Sequence, residues 1–111
     1  MPASFFENHP ELLGYLRKNY GTLCTSSPEV RDYLAESIRR LCRAAPGLGG
    51  FFTITASENL TNCYSHTVEP LCPRCGKKSI TEVFADVNLL FAKAAHSVDP
   101  SIEVIAWNWG W

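Results

Sequence analysis

Four residues able to bind a soft metal fall within thirteen positions of this chain, spaced Cys63-x2-His66-x5-Cys72-x2-Cys75. Cys72-Pro73-Arg74-Cys75 is a short bite in which two intervening residues let both thiolates reach one ion, and Gly76 permits the turn that brings them round. Cys63 and His66 complete a tetrahedral Cys3His set. Four protein ligands close such a site to water, so the Zn2+ it suits is structural and pins a long loop rather than activating a nucleophile. The same residues also allow a Cys72–Cys75 or Cys63–Cys72 disulfide, or unlinked thiols. A redox Cys-x-x-Cys pair should open a helix directly after a strand, whereas Gly76, Lys77 and Lys78 separate this pair from the helix that follows. Cys24 and Cys42 stand apart and read as small apolar core residues. Five cysteines is an odd count, which argues against a secreted disulfide framework.

The second group with chemical potential is a carboxylate with aromatic company. Glu58 follows the apolar run Phe51-Phe52-Thr53-Ile54-Thr55-Ala56 almost immediately, with Asn59 beside it. A carboxylate at the end of a buried strand can serve as general acid or base if its surroundings raise its pKa, or can simply face water. Trp107, Asn108, Trp109 and Trp111 follow a second apolar run, Ile102 to Ala106. Flat rings stack on sugar faces and an amide bonds hydroxyls, but alternate tryptophans also serve as core. His9, between Glu7 and Glu11, reads as a surface turn, or as a substrate contact if its loop follows a strand. His96 falls in the last turn of a helix, where a positive charge suits the dipole.

The elements that must position these groups alternate. Residues 1–26 read as a loop region, with a turn at His9-Pro10-Glu11 and room for a short helix between Leu12 and Tyr20. Ser27-Pro28-Glu29 opens a helix over 27–45: a hydroxyl at the cap, proline at the first helical position, and an acid near the positive end of the dipole. Its apolar stripe runs through Val30, Tyr33, Leu34, Ile38, Leu41, Cys42 and Ala45, and Pro46-Gly47 ends it. A strand over 50–57, short and β-branched, suits burial on both faces of a parallel sheet. The Cys/His loop occupies 58–78. Ser79-Ile80-Thr81-Glu82 is a capping box that starts a second helix over 79–97, and 102–107 is a second strand.

Helix, strand, long loop, helix, strand is the pattern of an α/β protein. At 111 residues the chain holds about two β/α units, against about 250 residues for a complete barrel. Two parallel strands leave edges and faces unsatisfied, which points to part of a larger sheet. A net charge of −1 with no dense basic stretch excludes tracking a nucleic-acid backbone, and no run is long enough for a membrane span. The N-terminal residues lack the pattern of a signal peptide, which with the clustered cysteines favours the cytoplasm.

The run from Thr22-Leu23-Cys24-Thr25-Ser26-Ser27-Pro28-Glu29-Val30 to Gly49-Gly50-Phe51-Phe52-Thr53-Ile54-Thr55-Ala56-Ser57-Glu58 resembles the middle of the catalytic barrel of family 20 glycoside hydrolases, the β-N-acetylhexosaminidases. His9-Pro10-Glu11 is similar to the family's proline–glutamate loop. The resemblance implies a fragment of a (β/α)8 TIM barrel acting on a carbohydrate, with Glu58 as general acid. The family's substrate-positioning aspartate falls at Ser57, which cannot stabilise an oxazolinium charge, so the implied chemistry is glycoside cleavage of another kind. The partner carboxylate and the rest of the barrel would lie outside this chain. The competing expectation is a small zinc-stabilised binding module without catalysis.

Overall fold

In a computed structural model of the chain, residues 1–55, 59–67, 70 and 72–107 are described. Their order is α1 (Ala3–Asn8), a 3-10 turn (Pro10–Leu12), β1 (Leu13–Arg17), β2 (Tyr20–Leu23), α2 (Pro28–Ala44), β3 (Gly50–Ile54), a second 3-10 turn (Cys75–Lys77), α3 (Ile80–His96) and β4 (Glu103–Trp107). The mixture of helices and strands makes the chain α/β in the coarse sense.

The region read as loop before residue 27 is instead organised. β1 and β2 form an antiparallel hairpin closed by Lys18-Asn19, with a register shift between Leu13 and Leu16. No alternating pattern announces it, because glycine and tyrosine interrupt both strands. Tertiary contact sets this hairpin: the N-terminal residues bond to it through Ala3 N–H to Asn19 O and Gly21 N–H to Met1 O. Gly21 is needed there, since a Cβ would stand 2.7 Å from the Phe6 ring.

β3 and β4 pair in parallel, Gly50 opposite Glu103 through Ile54 opposite Trp107. α3 makes the crossover. Gly50 is a second close approach, since its added Cβ would lie 2.5 Å from Glu103 O. Both long helices lie to one side of this pair. Phe51 and Val104 turn inward to Cys42, Ala95 and Ile102, with Ile38, Leu48 and Val98 around them. The opposite face carries Phe52, Ile54, Ile105 and Trp107, all exposed. A strand buried on both faces was the expectation for β3, and this corrects it. The two helices cover a single face, so alternate residues of each strand meet water. The stripe of α2 is likewise only partly used: Val30, Ala35 and Cys42 are buried, while Tyr33 and Leu41 are exposed.

Helix ends follow local chemistry. At α3 the Ser79 side chain accepts from Glu82 N–H and the Glu82 carboxylate accepts from Ser79 N–H, a reciprocal cap. At α2 Ser27 is the cap residue and Pro28 opens the helix, but the Ser27 hydroxyl donates to Glu29 Oε2 at 2.6 Å instead of capping a backbone N–H.

Candidate metal centre

A second core lies apart from the aliphatic one and is built around sulfur: Cys24, Cys63, Tyr64, Cys72, Cys75, Val83 and Phe84. Three separate stretches of chain deliver its thiols. The hairpin supplies Cys24 directly after β2, held by Cys24 N–H to Leu12 O at 2.8 Å and Ser27 N–H to Cys24 O at 2.9 Å. The loop after β3 supplies Cys63. That loop is tied to the end of β3 through the Thr55 carbonyl, which accepts from Asn62 Nδ2 at 2.5 Å and Thr61 Oγ1 at 2.8 Å. Ser65 Oγ accepts from the N–H groups of Thr61 and Asn62, and Tyr64 donates its hydroxyl to Lys78 O. The loop is therefore held at both ends. Thr55 is held in turn by Asn88 of α3, whose Nδ2 donates to Thr55 Oγ1 at 3.2 Å and to Phe84 O at 2.9 Å.

Cys72 and Cys75 come from the short turn ahead of α3. Gly76 N–H bonds to Cys72 O at 2.8 Å and Lys78 N–H to Cys75 O at 2.9 Å. Arg74 Nη1 donates to Glu11 O at 2.9 Å, fixing the turn against the segment that leads into β1. β1 closes over the site. A Cβ on Gly14 would stand 2.8 Å from Cys63 Sγ and 2.5 Å from Thr22 Oγ1, so only a bare backbone fits there.

The four Sγ atoms of Cys24, Cys63, Cys72 and Cys75 all lie within 4.8 Å of one another, and all four residues are buried. Cys24 Sγ is 3.3 Å from Cys72 Sγ and 3.9 Å from Cys75 Sγ. Every one of these cysteines is a free thiol. Thiolates bound at about 2.3 Å around one tetrahedral ion stand about 3.8 Å apart, the edge of that tetrahedron. The separations bracket that edge, so the four cysteines are able to hold a single metal ion.

Electrostatics point the same way. Hydrogen bonding with the Cys24 and Cys63 thiols pulls Cys75 down to about 3, against burial, which opposes ionisation. Cys63 moves the other way: its hydrogen bonds to Cys24 and Cys75 favour the protonated form, and burial and neighbouring charge add to this. The two cysteines thus shift in opposite directions, because negative charge placed on one buried thiol discourages it on its neighbour. A divalent cation reverses that preference and displaces the remaining protons. The donor set is all sulfur, which suits zinc, cuprous copper or iron and excludes calcium and magnesium.

Three of the four expected ligands, Cys63, Cys72 and Cys75, are thus brought together, and His66 is not. His66 is exposed with φ at 60°, and lines a surface depression beside the hairpin tip. Its place is taken by Cys24, which the sequence reading assigned to the ordinary core. The other lone cysteine, Cys42, does belong to the aliphatic core. The available signal was arithmetic: five cysteines less one leave a complete set of four.

Glu58, Asn108, Trp109 and Trp111 lie outside the described residues, as does Ser57. Asn59 is exposed at the start of the Cys63 loop. Trp107 ends β4 half-exposed and meets Phe52 edge-on, with ring centroids 6.2 Å apart. His9 sits in the connection between α1 and the hairpin, its Nδ1 3.6 Å from Glu11 Oε1 and its ring over Phe5. His96 Nε2 is 2.9 Å from Ile102 O, joining the end of α3 to the approach of β4. Among the described residues no helix is long and apolar enough to cross a membrane. No protein family, curated protein or solved structure that the chain was compared with matches it.

Proposed function

We propose that this chain is a zinc-stapled α/β module, in which one Zn2+ on Cys24, Cys63, Cys72 and Cys75 serves as a structural cross-link and catalyses nothing itself. The convergence of four buried sulfur atoms within 4.8 Å carries this reading. With four protein ligands no coordination position is left for water or substrate, so the ion supplies cohesion, not reactivity. What it holds together follows from the ligand positions: the hairpin, the loop after β3, and the turn that starts α3. The four thiols sit at the centre of the core these segments share with Tyr64, Val83 and Phe84, and the metal ties them together there. The test is expression of the full chain in zinc medium, with metal content by mass spectrometry and cobalt substitution. One metal per chain with the charge-transfer bands of a tetrahedral tetrathiolate is expected. A metal-free chain with the same thermal transition as the zinc-loaded one rejects the proposal.

A second reading keeps the glycosidase expectation, and the parallel pairing of β3 with β4 favours it. Ligands of parallel α/β sheets bind at the carboxyl ends of the strands. Here those ends lead to Glu58 and Trp107, which follow or occupy the paired positions Ile54 and Trp107. In that reading Glu58 is the general acid, Trp107, Asn108, Trp109 and Trp111 bind the sugar, and the bare face of the strand pair meets the remainder of a barrel. Glu58→Gln in the whole enzyme should then lower turnover by about 10²–10⁴-fold. Activity within a few-fold of wild type excludes it.

A further inference from the structure

We propose that the tip of the β1–β2 hairpin, together with His66, forms a binding site for the phosphoryl group of a small phosphomonoester. Arg17, Lys18, Asn19, Tyr20, Leu60 and His66 line a depression of about 320 Å³ there. None of the six is acidic. Neither Arg17 nor Lys18 pairs with a carboxylate among the described residues, which is equally true of Arg31, Arg74, Lys77 and Lys93; what sets these two apart is that both line one depression. The whole chain carries a net charge of −1, so two uncompensated cations side by side are a local feature, not a reflection of a basic protein.

The backbone adds an independent observation. Lys18 has φ at 54° and His66 at 60°, and these are the left-handed non-glycine residues among those described. Both line this one depression. Each position costs about 1–2 kcal/mol that glycine would avoid, and strain of this kind gathers where a side chain must be aimed. The turn at Lys18-Asn19 and the turn after Cys63 come from distant parts of the sequence, and the thiol cluster under β1 fixes one against the other.

The donor set selects the ligand. A guanidinium offers a planar fork and an ammonium a point charge, and the Asn19 amide and Tyr20 hydroxyl add donors around them. A carboxylate, with two oxygens, would be satisfied by Arg17 alone. A tetrahedral phosphoryl group, with three peripheral oxygens and up to two charges, uses the whole set. Two cations in one hollow match a single group and not a phosphate backbone. Leu60 and the Tyr20 ring give apolar surface for the organic part of the ester.

The experiment is an amide-resolved NMR titration of the full zinc-loaded chain with inorganic phosphate and with glycerol phosphate, against acetate and chloride at matched ionic strength. Saturable shifts at Lys18, Asn19 and His66 are expected with both phosphates and not with acetate or chloride. Arg17→Ala and Lys18→Gly should each weaken binding about tenfold, the size of one charge-assisted hydrogen bond. Lys18→Gly removes the charge while easing the turn, so its effect is not one of misfolding, and the rest of the spectrum verifies the fold. The proposal is overturned if phosphate gives no saturable shift, if acetate or chloride gives the same one, or if both variants bind as the wild type does.

Discussion

Cys24→Ser separates the two possible ligand sets, because Cys24 stands 39 residues before Cys63 and nothing in the local motif requires it. Structural zinc contributes about 10–16 kcal/mol of apparent binding free energy to small folded sites near neutral pH. Shared over four equivalent thiolates, that is roughly 2.5–4 kcal/mol per ligand, or about 10²–10³-fold in zinc affinity. The residue is fully buried, so a serine hydroxyl left without the metal is also an unsatisfied polar group, which adds to the loss. Total stability of a domain is about 5–15 kcal/mol, so the hairpin should loosen in the variant even at saturating zinc. Competition with a chromophoric chelator measures the affinity, and hydrogen exchange of the β1 and β2 amides measures the loosening. His66→Ala is the matched control. An exposed residue outside the sulfur cluster should leave zinc affinity within about threefold of wild type. If Cys24→Ser binds zinc normally while His66→Ala loses it, the ligands are Cys3His and the geometry argued above is wrong.

Cys42→Ala should keep one zinc per chain and lower stability by about 1 kcal/mol, since that thiol fills space in the aliphatic core; metal content and a denaturant curve check both. Gly14→Ala should cost about 1–3 kcal/mol and weaken zinc binding, because its methyl group would press on Thr22 Oγ1 and Cys63 Sγ. A gain in stability with unchanged affinity would show that β1 does not cover the site. Lys78 Nζ lies 2.6 Å from Asp86 Oδ2, and that bond, ahead of the opposing effect of burial, lowers the Asp86 pKa from its ordinary 3.8. The depressed carboxylate contributes stability that is present above pH 3.8 and lost as pH falls through the lower folded value. Both partners are more than a third exposed, so Asp86→Asn should cost under about 1 kcal/mol at neutral pH and nothing in strong acid, by urea denaturation at both pH values.

Much of the frame was readable because it depends on short-range chemistry. Ser79 and Glu82 satisfy each other across a single turn, and Pro28 and Pro46 bound α2 by rules that need no tertiary partner. The parallel pairing was implied by order alone, since a helix of 17 residues between two apolar runs leaves room for a crossover. The hairpin was not readable. Its strands hold because Gly14 and Gly21 admit Cys63 and Phe6 at contact distance, and such a requirement is invisible until the partner is known.

The metal centre divides along the same line. A short-bite pair announces itself, because two residues of chain can only bring the thiols together, so Cys72 and Cys75 were legible and Cys63 nearly so. Choosing between His66 and Cys24 for the fourth corner is a question about distance in space. Proximity in sequence favoured His66, three residues from Cys63. The backbone settles it otherwise: with φ at 60° the chain turns at His66 and carries its side chain to the surface, beside Lys18. Meanwhile the hairpin returns Cys24 to within 3.3 Å of Cys72. The ligand set and the hairpin are therefore one unknown, not two. Without β1 and β2 there is no fourth thiol, and a metal on Cys24 would tie the end of the hairpin to the Cys63 loop and the Cys72 turn.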